Sequence, residues 1–140
     1  MKNYARIFII FLFISFISAQ TYVPDDNFEQ VLIELGYDDV LNDSVLTANI
    51  SGVTTLNVSN DSISDLTGIE GFTALTELDC SENQLTNLNM SSNTALNTLY
   101  CNINQLTALN VSSNTALNTL YCYDNQLDSL DVSNNTSLIN

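Results

Sequence analysis

The chain has 140 residues, enough for one modest domain, and 45% of them are hydrophobic, which excludes a disordered composition. It carries 16 Asp and Glu residues against two Lys and Arg and no His, for a formal charge of −14. This balance excludes nucleic-acid binding, because phosphate contacts need cationic side chains, and it disfavours an anionic membrane surface.

The first residues predict a secretory signal peptide over 1–19. Lys2 and Arg6 precede an apolar run at 7–18, and Ala19 is the small residue expected before a cleavage site. The run is shorter than the roughly 20 residues of a membrane span. We therefore expect an extracellular or cell-surface mature chain without membrane insertion; the alternative is an uncleaved N-terminal anchor. Cleavage would remove both cations and take the formal charge to −16.

A 21-residue repeat organises the rest of the chain. The segment NTALNTLYC at 93–101 recurs letter for letter at 114–122. Three units read Leu-x-x-Leu-x-Cys-x-x-Asn-x-Leu and begin at Leu75, Leu96 and Leu117. This is the pattern and period of a leucine-rich repeat, in which each unit buries its apolar side by stacking on the next.

The repeat predicts the fold class: a β-rich, flattened leucine-rich-repeat solenoid with 21–22-residue repeats and a short N-terminal α-helical cap. The second half of each unit echoes the first, so we expect two similar flat faces and little helix. The predicted array spans 53–140 and stops abruptly, as if truncated at the C-terminus. Its units are 53–74, 75–95, 96–116, 117–137 and the start of another at 138.

Residues 20–52 are the predicted cap, with one helix. Asp26 and Glu29 have the spacing of a capping box, and Gly36 is the expected helix stop. One apolar face is predicted to cover the end of the repeat core. It consists of Phe28, Val31, Leu32 and Leu35.

Coils that stack in register place like residues in columns. One column of asparagines is predicted to satisfy backbone groups of neighbouring coils, and one column of cysteines is predicted to be buried free thiols. Three cysteines leave one without a partner, and the wide spacing does not fit a zinc site. The two columns are Asn83, Asn104, Asn125 and Cys80, Cys101, Cys122.

Two segments resemble known bacterial proteins. The sequence ISDLTGIEGFTALTEL at 63–78 resembles the repeats of internalin-like surface proteins. The opening YVPDDNFE at 22–29 and LGYDD at 35–39 resemble the cap of secreted leucine-rich-repeat proteins of gliding-type Gram-negative bacteria. The resemblance implies export, exposure at the cell surface and binding of protein or glycan, without shared catalytic residues. It also implies type IX secretion, although the sorting domain common in such proteins is not in this sequence.

The candidate binding residues lie on and just beyond the strand face. An outward-facing column is predicted there, and further exposed residues follow at the strand ends. The alternative is that the tyrosines only stabilise the sheet by cross-strand pairing. The column is Asp79, Tyr100 and Tyr121, and the residues beyond it are Ile103, Tyr123, Glu82 and Asp124.

The residue types argue against an enzyme, because the mature chain lacks the usual catalytic bases and cations. Asp38, Asp39 and Asp43 suggest Ca²⁺, but their spacing fails the calcium-loop pattern, so we expect no cofactor and only diffuse cation screening. The predicted function is a non-catalytic binding module for protein or glycan. The alternatives are a spacer for a downstream domain and a cation-dependent adhesin.

Overall fold

A computed structural model describes residues 18–139 of the chain. The predicted signal peptide therefore lies almost wholly outside the described residues. Among those residues, no helix is long and apolar enough to cross a bilayer. In chain order the elements are β1 (Gln20–Tyr22), α1 (Asp26–Glu34), β2 (Ser44–Leu46), α2 (Thr47–Ile50), β3 (Thr55–Asn57), a 3₁₀ turn (Ile69–Gly71), β4 (Glu77–Asp79), β5 (Thr98–Tyr100) and β6 (Thr119–Tyr121).

The repeats form a four-stranded parallel sheet in the order β3-β4-β5-β6. Leu56 pairs with Leu78, Leu78 with Leu99, and Leu99 with Leu120, so the like leucines of successive repeats stand side by side. Each coil therefore advances the chain by one strand, as a leucine-rich-repeat solenoid requires.

Side chains that repeat along the solenoid fill a single continuous core. Leu78, Cys80 and Met90 are fully buried, and the matching Leu99, Cys101 and Val111 of the next coil are buried as well. Burial weakens along the last coil, because no coil stacks on it within residues 18–139. Its half-buried members are Leu120, Cys122, Leu127, Leu130 and Leu138.

The face opposite the sheet differs from the sheet, contrary to the expectation of two similar faces. The only β-bridge outside the named strands within residues 18–139 is a parallel bridge there between Asn89 and Asn110. The side-chain oxygens of these two residues accept the backbone N–H groups of Ser91 and Ser112, at 3.1 and 3.0 Å. Each asparagine thus closes a local turn. The extended backbone therefore ends directly after the asparagine, and a longer strand does not form on this face of the described coils.

Helix α1 begins one residue earlier than the capping-box prediction implies. Asp25 has extended dihedrals, and its Oδ1 accepts the backbone N–H groups of Asn27 and Phe28. Asp26 is exposed, and Glu29 turns away from the helix start to bind another segment. The prediction of an Asp26–Glu29 capping box is therefore wrong, because Asp25 already satisfies the first free N–H groups.

The end of α1 follows the predicted glycine signal. Gly36 has φ +79° and donates its N–H to Ile33, while Tyr37 donates to Leu32. These two bonds form a Schellman motif, in which glycine tolerates the left-handed conformation. Leu35 is exposed rather than part of the apolar face, since the helix has ended at Glu34.

The N-terminal segment packs on the first coil of the array. The ring centroids of Phe28 in α1 and Phe72 in the first coil are 6.4 Å apart. A Cβ atom at Gly68 would meet the Tyr22 carbonyl at 2.8 Å, and one at Gly71 would meet Thr21 Oγ1 at 2.7 Å. Strand β1 therefore lies directly over these two glycines, where no larger residue fits.

Candidate functional site

Three tyrosines form a row on the exposed side of the parallel sheet. Tyr100 and Tyr121 are partners in β5 and β6, and their ring centroids lie 5.1 Å apart. The ring centroid of Tyr123 lies 6.4 Å from that of Tyr121, and the two rings meet edge-on with an interplanar angle of 71°. Tyr121 is 48% exposed and Tyr123 55% exposed, so both rings offer contact area to solvent. We call Tyr100, Tyr121 and Tyr123 the tyrosine row.

Asp79 stands in register with Tyr100, one strand before the tyrosine row. Its Oδ1 accepts the backbone N–H of Ser81 at 3.0 Å and the Ser81 hydroxyl at 2.6 Å. Asn57, the partner of Asp79 in β3, makes the same two contacts with Ser59. The column therefore changes along the sheet from polar side chains that close their own turns to aromatic rings that face outward.

Beside the tyrosine row runs a column of residues with left-handed backbone. Glu82, Ile103 and Asp124 have φ values of +56°, +54° and +52°, and all three are exposed. Their coils are joined by hydrogen bonds, including Ile103 N–H to the Tyr123 carbonyl at 3.0 Å. Aspartate tolerates this conformation, but a β-branched side chain does not, and such strain costs of order 1–3 kcal/mol. Ile103 keeps this strained backbone while 41% exposed beside Tyr123.

The first asparagine column ties each coil to the previous one. Asn104 Nδ2 donates to the carbonyls of Cys80, Cys101 and Asn102 at 3.0, 3.2 and 3.3 Å, and its Oδ1 accepts the Leu85 N–H at 2.9 Å. The same contacts, one coil away, are made by Asn83 and Asn125.

A second asparagine column lies at the opposite turn. Nδ2 of Asn114 donates to the carbonyls of Met90 and Asn93, at 3.0 and 2.9 Å. The Oδ1 atoms of Asn93, Asn114 and Asn135 are buried and accept no hydrogen bond from residues 18–139. The side chains of this column therefore join neighbouring coils only through the hydrogen bonds that their Nδ2 atoms donate.

The cysteine column consists of free thiols in the interior. Cys80 and Cys101 are buried, and Cys122 is partly buried in the last coil. Burial raises the pKa of Cys80 well above its ordinary value, with the neighbouring Cys101 and Asp79 adding to the shift. Burial and the nearby Cys122 raise the pKa of Cys101 to about 12. These thiols stay protonated at neutral pH and lack the thiolate that nucleophilic chemistry needs.

The acidic residues suggested as calcium ligands are not grouped as the sequence suggested. Carboxylate oxygens of Asp26, Glu29 and Asp43 lie within 4.8 Å of one another, whereas Asp38 and Asp39 are outside this group. Glu29 is fully buried, and its oxygens accept the backbone N–H groups of 42–44 at 3.0–3.1 Å. Its negative charge is therefore already solvated by amides.

Asp38 lies near this group with an unfavourable environment. Burial raises the pKa of its carboxyl, and the negative charges of Glu29 and Asp39 raise it further. Its Oδ2 atom is buried and accepts no hydrogen bond from residues 18–139.

Comparison with known proteins gives consistent results for sequence and structure. Over 77 residues, 55% of this chain, the sequence is 39% identical to internalin J of Listeria monocytogenes serotype 4b (strain F2365). The solved functional domain of InlJ from Listeria monocytogenes, which includes a cysteine ladder, matches 86% of this chain with a TM-score of 0.78 at 38% identity. This chain is homologous to the internalins in its leucine-rich repeats.

A second internalin structure extends the likeness in fold. InlF from Listeria monocytogenes matches 84% of this chain and 42% of its own chain, with a TM-score of 0.71 at 22% identity. The chain spans 8% of the length of internalin J and 28% of the solved InlJ chain. No protein-family model matches the sequence. The comparisons therefore establish internalin-like repeats.

The structure shows two features that the sequence pattern did not single out, one at the first helix and one at the candidate site. The capping-box spacing points to Asp26, although Pro24-Asp25 before an apolar helical stripe is itself a helix-start signal for Asp25. The left-handed backbone of Ile103 had no sequence signal of its own, because the conformation is normally marked by Gly, Asn or Asp. The equivalent residues of the other coils share the conformation, and two of them are of the types that favour it. They are Asn60, Glu82 and Asp124.

Proposed function

We propose that this internalin-like chain is a non-catalytic protein-recognition module whose ligand binds on the tyrosine row and Ile103. One observation supports the proposal above all: aromatic rings stand exposed, in contact with one another, on a hydrogen-bonded parallel sheet. Tyrosine offers large contact area at a low cost in conformational entropy, and a rigid sheet lowers that cost further.

The strained backbone of Ile103 supports the same face. A large apolar side chain there is 41% exposed, and its backbone conformation favours a different residue. The turn of each coil imposes this backbone conformation, and a large apolar residue kept exposed at such a strained position supports a contact with a ligand. We therefore place Ile103 at the edge of the proposed site, next to Tyr123.

The non-catalytic part of the proposal rests on residue types. Residues 18–139 include no Lys, Arg or His, and the cysteines are buried thiols. The grooves on the opposite face have volumes of about 340–380 Å³ and are lined mainly by Asn, Ser and Leu side chains, together with the carboxylates of Asp65, Glu70 and Asp131. Such linings offer hydrogen bonds and carboxylates, but none of the His, Lys or thiolate groups that most often serve as catalytic base or nucleophile.

The N-terminal segment is assigned the role of a cap in this proposal. Phe28 of α1 packs on Phe72, and β1 covers Gly68 and Gly71 at the first coil. A solenoid needs such cover because its terminal repeat otherwise exposes the core. Export by the signal peptide predicted at 1–19 would bring the module to the cell surface or the medium, as the resemblance to surface proteins implies. The spacer and the cation-dependent adhesin remain the alternatives.

An array of purified extracellular proteins and glycans tests the proposal. We expect binding by the wild type and a loss of at least about tenfold in the Tyr121→Ala/Tyr123→Ala variant, since buried interface tyrosines each contribute about 1 kcal/mol or more. Tyr22→Ala is the matched control, because Tyr22 is 60% exposed but lies in the N-terminal segment. Equal binding by all three proteins would refute the assignment of this face.

A further inference from the structure

We infer that the partner bound by the tyrosine row presents a cationic segment, rich in Arg or Lys side chains. The inference rests on the proposed function and names the chemistry of the ligand at the same site. Its basis is the combination of exposed aromatic rings with unpaired carboxylates around them.

Carboxylates flank the site along the solenoid. Glu82 and Asp124 occupy the same column as Ile103, one coil before and one coil after it. Adjacent coils are spaced by about 4.8 Å, so the two carboxylates stand roughly 10 Å apart on either side of the isoleucine. Both side chains are exposed, and neither accepts a hydrogen bond from residues 18–139. They are therefore free to pair with charges on a ligand.

The rings beside these carboxylates suit the same ligand. A guanidinium or ammonium group over a tyrosine face gains about 0.5–1 kcal/mol at an exposed site and more when water is excluded. Arginine can stack on the ring and donate to a carboxylate at the same time, because its donors lie in the plane of the guanidinium. Tyr121 and Tyr123 are arranged edge-on, so they present rings in two orientations within one coil.

The net negative charge of the chain favours cationic ligands over neutral and anionic ones. All 16 acidic side chains follow residue 17, and the only two cationic ones precede it. Residues 18–139 therefore repel anionic ligands such as phosphorylated, sulfated or sialylated molecules over a distance of about 8 Å at physiological salt. A neutral glycan could stack on the rings but would leave the charge unused. A cationic protein segment can contact both the tyrosine rings and the carboxylates. Long-range electrostatic attraction would also speed its association.

Synthetic peptides of defined charge provide the test. A peptide array would carry sequences of equal length and matched aromatic content, with net charges from −6 to +6, and a second array would carry neutral oligosaccharides. The probes are the wild type, Tyr121→Ala/Tyr123→Ala and the charge variant Glu82→Gln/Asp124→Asn. The matched control is Asp128→Asn/Asp131→Asn, which removes the same charge from the last coil away from the strand. The Asp131→Asn change also matches the residue type of Asn89 and Asn110, which occupy the equivalent position in the preceding coils.

We expect Arg- or Lys-containing peptides to bind the wild type at 150 mM salt, with a loss of about fivefold or more in the charge variant and in the tyrosine variant. The control variant should bind within about twofold of the wild type. Peptides or neutral glycans that bind through the tyrosines but equally well in the charge variant would overturn the cationic inference alone. Binding that the tyrosine variant leaves unchanged would overturn the proposed site. Equal losses in the charge variant and the control would show nonspecific attraction and overturn the inference too.

Discussion

The carboxylate of Asp25 joins the first helix to the first repeat through Ser64. One oxygen caps α1, and the other accepts the Ser64 hydroxyl at 2.7 Å, the Ser64 N–H at 2.9 Å and the Asp65 N–H at 3.0 Å. These contacts couple two segments that are 39 residues apart in sequence. The N-terminal segment and the array should therefore unfold together.

Asp25→Asn should lower the free energy of unfolding at pH 7 by about 2 kcal/mol, because the amide cannot accept all of these hydrogen bonds. Burial alone would raise the pKa of Asp25, but hydrogen bonds from Ser64, Phe28 and Asp65 outweigh it and leave the pKa below its ordinary value of 3.8. A lowered pKa stabilises the fold above pH 3.8 and ceases to do so as the pH falls through the folded-state value.

Urea unfolding of wild type and Asp25→Asn from pH 7 to pH 2.5 measures this effect. The difference should be largest at neutral pH and shrink below about pH 4. Asp26→Asn is the control, since Asp26 is exposed and adjacent. A difference that persists at pH 2.5 would contradict the role assigned to the ionised carboxylate.

Asn104→Ala should destabilise the array by about 2–4 kcal/mol. The change leaves the carbonyls of Cys80 and Cys101 and the N–H of Leu85 without their side-chain partner, and unsatisfied buried groups each cost about 1–3 kcal/mol. Asn104→Asp should be at least as damaging, because a carboxylate would face these carbonyls. Gln105→Ala, at an exposed neighbouring position, should change little. Chemical denaturation compares the three, and a fully stable Asn104→Ala would argue against the column as a stabilising ladder.

Ile103→Asn should stabilise the fold while weakening ligand binding. Asparagine tolerates φ +54° far better than a β-branched residue, so we expect a gain of about 1 kcal/mol in unfolding free energy. The measurement pairs the thermal midpoint with affinity for an array ligand. In the same column, Asp124→Asn should give little or no gain in stability, because aspartate already accepts this backbone. A variant of Ile103 that is both less stable and equally good at binding would contradict the proposal.

Asp38→Asn should modestly stabilise the protein at pH 7, since it removes a charge from a site where one carboxylate oxygen is buried without a donor among residues 18–139, an effect that solvent screening keeps small. The raised pKa of Asp38 means that its ionisation opposes folding as the pH rises above the ordinary value of 3.8. The advantage of the variant should therefore vanish below that pH. Asp128→Asn serves as the control, because Asp128 is an exposed carboxylate in the last coil, away from Asp38. No gain at pH 7 would show that Asp38 is already solvated or neutralised.

Salt should raise the thermal midpoint, because the acidic side chains have no cationic partner among residues 18–139 and repel one another. Calcium chloride should act no more strongly than sodium chloride at equal ionic strength, given that Glu29 is bound to backbone amides. Differential scanning calorimetry of the two series decides between screening and a defined site. A calcium-specific rise that is lost in Asp43→Asn would favour the site.

The sequence by itself determined the repeat, because burying leucines in stacked coils requires like residues at a fixed period. That period alone predicts Leu78 beside Leu99 and Tyr100 beside Tyr121, the pairs that the parallel sheet contains. The neighbours of these residues in the sheet follow from the repeat period, which can be read directly from the sequence.

Only the tertiary structure decided which polar groups find hydrogen-bond partners and which backbone positions are strained. Asp25 rather than Asp26 caps the helix, because Ser64 from the first coil holds its second oxygen. Glu29 bonds to 42–44, a partner that no spacing in the helix could reveal. The left-handed backbone of Ile103 follows from the turn that every coil must make. Such contacts join residues far apart in sequence, so their free energies depend on the packed fold rather than on local pattern.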